Sequence, residues 1–238
     1  IASSTLSTPS IQTNASCLST QLDWLRKNRG ARSFVLVAHS MGGLVSRAYL
    51  ENTSHNKNRD VKTLITLGTP HHGTPVNVWL PIVLGPLNGA IALPAYCLLQ
   101  PAVCQLTVSG ATTFNQTYAP RSSGAAYHFV SGETPWGQRN RMGQLTYRAL
   151  APVQIGGPGR DDGIVPQLSG LGTYLSGSID RFGTLENHNL FGPNTYFNHT
   201  SSPSALTDCI VRLIRNNGQG TCGSVSGAGV PLSDPVQL

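Results

Sequence analysis

The chain has 238 residues, of which 39% are hydrophobic and only 11% are charged, against roughly 25% charged in an average soluble domain. That length supplies one sizeable core, so we expect a single domain over residues 1–238. The net charge of +6 is scattered and has no interleaved aromatic residues, which excludes a nucleic-acid-binding surface, and no apolar run of about 18 residues predicts a transmembrane helix.

The first predicted elements are a helix, a strand and a second helix. Apolar residues recur at intervals of three and four over residues 11–28, which predicts an amphipathic helix that ends at Gly30. The apolar, β-branched run of residues 34–38 predicts a strand. A helical pattern that begins at Leu44 predicts a helix running to about Asn52.

Later elements continue the alternation of strands and helices. The near-continuous apolar run of residues 61–67 predicts a parallel strand buried on both faces, and residues 125–132 predict another core strand. The last predicted element is a helix over residues 204–215. This alternation predicts right-handed crossovers and a mostly parallel sheet with helices on its faces.

A segment over about residues 75–110 has a different character. It is densely apolar but is interrupted by Pro81, Pro86, Pro94 and Pro101, which exclude one long helix and favour several short ones. We expect an insert that forms a lid or an apolar wall over the C-terminal edge of the sheet. Ordinary core packing of short helices is the alternative.

Ser40 lies on the predicted turn between the 34–38 strand and the following helix. In an α/β-hydrolase such a turn holds the serine hydroxyl above the sheet, and the helix N-terminus aims backbone N–H groups at an oxyanion. Ala38 and Gly42 are small, which lets strand and helix approach each other. No G-x-x-x-x-G-K-[ST] pattern follows, which excludes a phosphate-binding loop. An incidental serine at a strand–helix junction is the alternative.

Two motifs carry a resemblance to a known family: Ala-His-Ser-Met-Gly-Gly at residues 38–43 and Leu-Ile-Thr-Leu-Gly-Thr-Pro-His-His-Gly-Thr-Pro at residues 64–75. They resemble the secreted bacterial triacylglycerol lipases and esterases of the α/β-hydrolase superfamily, with a match that runs with gaps over about residues 17–215. The resemblance implies an α/β-hydrolase fold, with a mostly parallel sheet flanked by helices and an apolar helical lid or cap. It also implies a secreted enzyme.

The resemblance also implies which residues complete a catalytic triad. In this fold the acid and then the histidine follow the serine along the chain. Asp162 directly precedes Gly, an aliphatic residue and Val, as the family's acid does. Asp161 is the alternative acid, and its structural interpretation is a turn or capping carboxylate. His199 stands just before the last helix, as the family's catalytic histidine does. His188 is the alternative base.

The expected oxyanion hole is only half accounted for. The Met41 N–H is the first expected donor, and in this fold the second comes from a loop after an earlier strand. Residues 1–33 contain no such motif and no strand before the first helix. We therefore expect the N-terminal strands of the sheet to be missing from a domain that is N-terminally incomplete. The other histidines have structural interpretations: His39, His55, His71, His72 and His128.

The five cysteines suggest two local disulfides, Cys97–Cys104 and Cys209–Cys222, with Cys17 unpaired. Disulfides would place the protein in an oxidising compartment, whereas five reduced thiols are the alternative.

The predicted function is hydrolysis of carboxylic esters by a serine lipase or carboxylesterase through an acyl-enzyme, on an ester or lipid substrate at a possible lipid–water interface. An acyltransferase or polyesterase on the same triad is one alternative. A non-catalytic binding module without a complete oxyanion hole is another. No cofactor or metal is implied, because the family's calcium-binding variants carry an Asp close after the catalytic histidine and residues 200–206 have none.

Overall fold

The structure is a computed structural model and describes residues 9–56, 58–76, 97, 100–120, 124–132, 161–184, 186–188, 197–199 and 204–221. Its helices are α1 (Ile11–Arg29), α2 (Met41–Glu51), α3 (Pro101–Gln105), α4 (Val108–Tyr118), α5 (Gln167–Leu171) and α6 (Ser204–Arg215). Its strands are β1 (Phe34–His39), β2 (Val61–Leu67), β3 (Ala126–Gly132), β4 (Ile179–Thr184), β5 (Glu186–His188) and β6 (Phe197–His199).

The predicted first helix is confirmed, and both of its ends have a local cause. The side chain of Ser10 caps α1 by accepting a hydrogen bond from the Thr13 N–H at 3.1 Å. Gly30 ends the helix in the left-handed conformation, with φ of 64°.

Four parallel strands form the main sheet in the order β1-β2-β3-β4. His39 at the end of β1 pairs with Leu67 of β2, which in turn pairs with Val130 of β3. The loops that follow these strands therefore leave the sheet at one edge, its C-terminal edge. Among the described strands, β1 is the outermost strand on one side of the sheet, and its Val37 is 46% exposed.

Helices cover both faces of this sheet, as the alternation of elements predicted. One face packs against α1, α2 and α4, through buried residues such as Ile11, Leu44, Leu64, Phe114 and Phe129. The other face packs against α6, whose Leu206, Cys209 and Leu213 meet Ile65 of β2 and Val130 of β3.

Two of the elements that are absent from the sequence-based prediction, α4 and β4, have a polar composition that explains why. Helix α4 is rich in Thr, Ser and Asn, which favour caps and turns over helix interiors, but Ala111 and Phe114 are buried and hold it on the core. Strand β4 carries Asp180 and Arg181. Asp180 pairs with His128 and Arg181 donates to backbone carbonyls, so these polar side chains are satisfied within the fold.

The predicted lid falls mostly outside the described residues, which resume near its end with Cys97, α3 and α4. The predicted Cys97–Cys104 disulfide is present, and Cys17 is free and exposed. Cys209 is also disulfide-bonded, while its predicted partner Cys222 lies outside the described residues. None of the described helices is both long and apolar enough to span a membrane.

Candidate active site

Ser40 sits between β1 and α2 in a backbone conformation that side-chain-bearing residues rarely adopt. Its φ is 53° and its ψ is −130°. A non-glycine residue held there costs about 1–3 kcal/mol and persists only where the surrounding structure enforces it. The Ser40 N–H donates to the Leu67 carbonyl at 2.9 Å, which extends the β1–β2 ladder to the turn. Within the described part of the chain, the Ser40 side chain makes no capping hydrogen bond to α2.

The close approach that shapes this turn lies at Gly43 rather than at Gly42. A Cβ added to Gly43 would come within 2.7 Å of Thr69 Cγ2 and 2.9 Å of Thr69 Cβ, which is overlap. A Cβ added to Gly42 would meet Ala38 Cβ at 3.8 Å, an ordinary van der Waals contact. Gly42 therefore lies beside Ala38, where the two small residues let strand and helix approach, and the tightest contact at the turn is that of Gly43 with Thr69.

Residues 68–76, which we call the bridging loop, follow β2. They contact both the turn at residues 38–43, which we call the elbow, and residues 161–166, the candidate acid loop. The Thr69 hydroxyl donates to the Ser40 carbonyl at 2.8 Å. The Thr74 hydroxyl donates to the Ile164 carbonyl. The loop thus connects the segment that carries Ser40 to the segment that carries the candidate acid.

Further hydrogen bonds join the bridging loop to α5. The Ser169 hydroxyl donates to the Gly73 carbonyl at 2.6 Å, and its oxygen accepts from the His72 N–H at 3.0 Å. The His71 N–H reaches the Ser169 carbonyl at 3.2 Å. Sequence reasoning assigned no role to Ser169. The lone serine in an otherwise unremarkable segment carried no signal for one.

The two candidate acids are both buried, and each accepts backbone hydrogen bonds. Asp162 Oδ1 accepts from the Ile164 N–H at 3.1 Å and from the Val165 N–H at 2.7 Å. Asp161 Oδ1 accepts from the Gly163 N–H at 2.8 Å, in the turn role expected of it. Ile164 and Val165 pack against Val76, so this loop is held on the bridging loop by apolar contact as well.

The two candidate histidines lie on the two-stranded antiparallel ribbon of β5 and β6. The backbone of His199 pairs with that of Glu186 at one end of the ribbon, and His188 pairs with Phe197 at the other. Helix α6 follows β6, as expected of the segment after His199. The side chains of both histidines lie outside the described part of the structure, so the assignment of the base stays a prediction.

His71 in the bridging loop is held as a neutral ring by its surroundings. Arg47 of α2 donates to His71 Nδ1 at 3.1 Å, so this nitrogen accepts, and Nε2 donates to Thr66 Oγ1 at 3.1 Å. Complete burial, followed by the charge of Arg47, holds the pKa of His71 well below its usual 6.5. The ring also stacks on Phe129, with centroids 3.7 Å apart.

Arg47 anchors this network and is itself fully buried. It donates to Asn115 Oδ1 at 2.9 Å and to the Tyr118 carbonyl at 2.7 Å, and burial lowers its pKa to about 10. Asn115 in turn donates to the His71 carbonyl at 2.8 Å. These hydrogen bonds connect α2, the bridging loop and α4.

His72 is also kept neutral near physiological pH. Burial, followed by the charge of Arg47, lowers its pKa to about 4. Its Nε2 accepts a hydrogen bond from the Tyr174 N–H at 3.2 Å. His71 and His72 therefore have the structural roles expected for them. Within the described ranges, no group of three or more His, Cys, Asp or Glu side chains is placed to hold a metal ion.

The parallel sheet and the flanking helices are those of the α/β-hydrolase fold, and comparison with known proteins agrees. The PGAP1-like alpha/beta domain family model matches residues 11–80. No curated protein matches the sequence.

Solved structures share this fold at low sequence identity. The mature form of lipase BlEst2 from Bacillus licheniformis is 22% identical, with a TM-score of 0.55, and the match covers 75% of this chain and 67% of that one. Phospholipase PlaB from Legionella pneumophila is 14% identical, with a TM-score of 0.55, over 90% of this chain and 50% of that one. The chain is thus similar to lipolytic enzymes in fold, and its match spans only part of their length.

Proposed function

We propose that the protein is a secreted serine hydrolase that cleaves carboxylic esters of lipids, as a lipase or carboxylesterase. The observation that carries this proposal is the positive φ of Ser40 at the junction of β1 and α2. A strained backbone at this point is explained if it turns the serine hydroxyl away from the helix cap and towards a substrate.

The proposed mechanism uses Ser40, His199 and Asp162 in their usual roles. His199 takes the Ser40 proton as Oγ attacks the ester carbonyl, and Asp162 orients the imidazole and stabilises its charged form. The Met41 N–H donates to the tetrahedral oxyanion. The intermediate expels the alcohol, which His199 protonates, and water activated by His199 then hydrolyses the acyl-enzyme.

Two further observations support the substrate class and the compartment. The solved structures that share the fold include a lipase and a phospholipase, which makes a lipid ester the first substrate to test. The Cys97–Cys104 disulfide and the disulfide-bonded Cys209 favour an oxidising compartment, and hence secretion.

A fluorophosphonate probe tests the proposal directly, because it reacts covalently with an activated serine. We expect the probe to label Ser40, and Ser40→Ala to lose the label and to lower ester turnover by about 10⁶-fold. Ser46→Ala is the matched control, since Ser46 lies one and a half turns further along the same helix and its hydroxyl donates to the Gly42 carbonyl at 2.9 Å. A folded wild-type protein that is neither labelled nor active would refute the proposal.

A further inference from the structure

We propose that Thr69 is a positioning residue that orients the Met41 N–H towards the oxyanion. This inference rests on the proposed function and adds to it a residue outside the triad. Thr69 is fully buried, and its hydroxyl donates to the Ser40 carbonyl at 2.8 Å.

The Ser40 carbonyl is held from two directions. Besides the Thr69 hydroxyl, the Gly43 N–H donates to the same oxygen at 3.1 Å. A carbonyl oxygen has two lone pairs, so these two donors fix its direction. The Gly43 bond belongs to the turn itself, whereas the Thr69 bond comes from a separate segment and ties the turn to the loop after β2.

The direction of the Ser40 carbonyl determines the direction of the Met41 N–H. Both groups belong to one planar trans peptide unit, in which the C=O and N–H point in opposite directions. The ψ of Ser40, −130°, sets how this unit is rotated, and it lies in a sparsely populated region. Without an external restraint, the unit can rotate towards a commoner conformation and take the N–H away from the oxyanion.

Thr69 can act as this restraint because its own position is fixed. The Gly68 N–H donates to the Val130 carbonyl at 2.9 Å, and the His71 N–H donates to the Thr69 carbonyl at 2.8 Å. The buried His71–Arg47 contact then ties the loop to α2, the helix that Ser40 precedes. On its other side Thr69 lies against Gly43, where any side chain would overlap it.

The test separates the hydroxyl of Thr69 from its packing. Thr69→Val keeps the shape and removes the donor, whereas Thr69→Ser keeps the donor and removes a methyl group. Thr63→Val is the matched control, because Thr63 is equally buried on β2 and, among the described residues, its hydroxyl has no partner. The measurements are kcat and KM on a p-nitrophenyl ester, and the inhibition constant of a boronic acid that mimics the oxyanion.

We expect Thr69→Val to lower kcat about tenfold and to weaken boronic acid inhibition by a similar factor, less than the 10²–10³ that follows loss of a whole oxyanion donor. KM should stay within about twofold, because the interaction is made in the transition state. Thr69→Ser should recover most of kcat. Thr63→Val should leave kcat unchanged.

Three results would overturn the inference. A folded Thr69→Val protein with wild-type kcat, or equal losses in Thr69→Val and Thr69→Ser, would show that the hydroxyl orients nothing. In both cases an active, labelled wild-type protein leaves the proposed function standing. A folded wild-type protein without turnover or Ser40 labelling would instead remove the proposed function and this inference together.

Discussion

The two edges of the sheet each hold a buried histidine beside a charged residue, and the hydrogen bonds differ in direction. At the C-terminal edge, His71 accepts from Arg47 and is neutral. Towards the N-terminal edge, His128 Nδ1 lies 2.9 Å from Asp180 Oδ2, and its Nε2 lies 2.9 Å from the Gly218 carbonyl. Both partners of His128 are oxygen acceptors, whereas Arg47 beside His71 is a donor.

The difference teaches that a buried histidine–aspartate pair is not by itself a sign of catalysis. His128 and Asp180 join β3, β4 and the turn after α6, at the opposite edge from Ser40. A cavity of about 690 Å³ lies at that N-terminal edge, lined by residues that begin or precede the strands, such as Ser33, Lys62 and Ser178. The strained turn and its contacts, rather than cavity size, therefore identify the candidate site.

Apart from the loss of Ser40, the largest expected effect separates the two neighbouring carboxylates at the C-terminal edge. Asp162→Asn keeps an oxygen for the Ile164 and Val165 N–H groups but cannot stabilise a charged histidine, so we expect kcat to fall by about 10⁴. Asp161→Asn is the matched control and should lower kcat by less than about tenfold, because its turn bond to Gly163 survives. Steady-state ester hydrolysis measures both. A reversed order would make Asp161 the acid.

The second prediction compares the two glycines of the elbow. Gly43→Ala forces a methyl group into Thr69, and we expect it to cost about 3 kcal/mol in the free energy of unfolding and most of the activity. Gly42→Ala meets only an ordinary contact and should be neutral or stabilising by up to about 1 kcal/mol, as alanine favours a helix. Urea unfolding and kcat check both. Equal losses would contradict the prediction, because only Gly43 has the close contact with Thr69.

Much of the fold followed from the sequence because its elements have strong local signals. The apolar runs of β1, β2 and β3 and the periodic apolar residues of α1 and α6 predicted those elements to within one or two residues. Strand β4 was missed because its Asp and Arg side chains interrupt the apolar pattern, and they are satisfied only in the fold, by His128 and by the Leu171 carbonyl. Such tertiary compensation leaves no periodic pattern to detect.

The turn at Ser40 was predictable from the sequence, but the contacts that hold it were not. The turn at Ser40 could be inferred because a strand, a small-residue turn and a helix follow one another directly. The role of Thr69 could not, since it depends on a hydrogen bond across 29 residues and on the absence of a side chain at Gly43. The residues that hold a strained turn come from elsewhere in the chain, and only the folded structure brings them together.

The third prediction tests whether the N-terminal edge is purely structural. His128→Gln and Asp180→Asn should each lower the free energy of unfolding by about 1–2 kcal/mol, because each leaves a hydrogen-bonding partner unmatched. A double-mutant cycle should show coupling between them, while kcat stays within about twofold. Lys62→Gln, an exposed change at the same edge, should shift stability by no more than about 0.5 kcal/mol. A loss of kcat without a loss of stability would place His128 in the catalytic machinery.

The last prediction concerns the neutral histidines of the bridging loop. The pKa of His72 is lowered to about 4 in the folded protein from 6.5, so between these pH values the unfolded chain binds a proton that the folded protein does not. Stability must therefore fall as the pH drops through this window, with a contribution of up to one proton from His72. His72→Gln should reduce the slope of the free energy of unfolding against pH by up to the equivalent of one bound proton. Urea unfolding across pH 4 to 6.5 measures the slopes.

The control for this prediction is the pH range above 6.5, where His72 is neutral in both states and the wild-type and His72→Gln curves should run parallel. In His72→Gln, the pH dependence of stability that remains below pH 6.5 comes from His71, because burial and Arg47 also lower the pKa of His71. Equal slopes for wild type and His72→Gln within the window would mean that His72 takes up its proton in the folded protein. The C-terminal edge would then hold a charged histidine close to Arg47, and the neutral state that sets this edge apart would be lost.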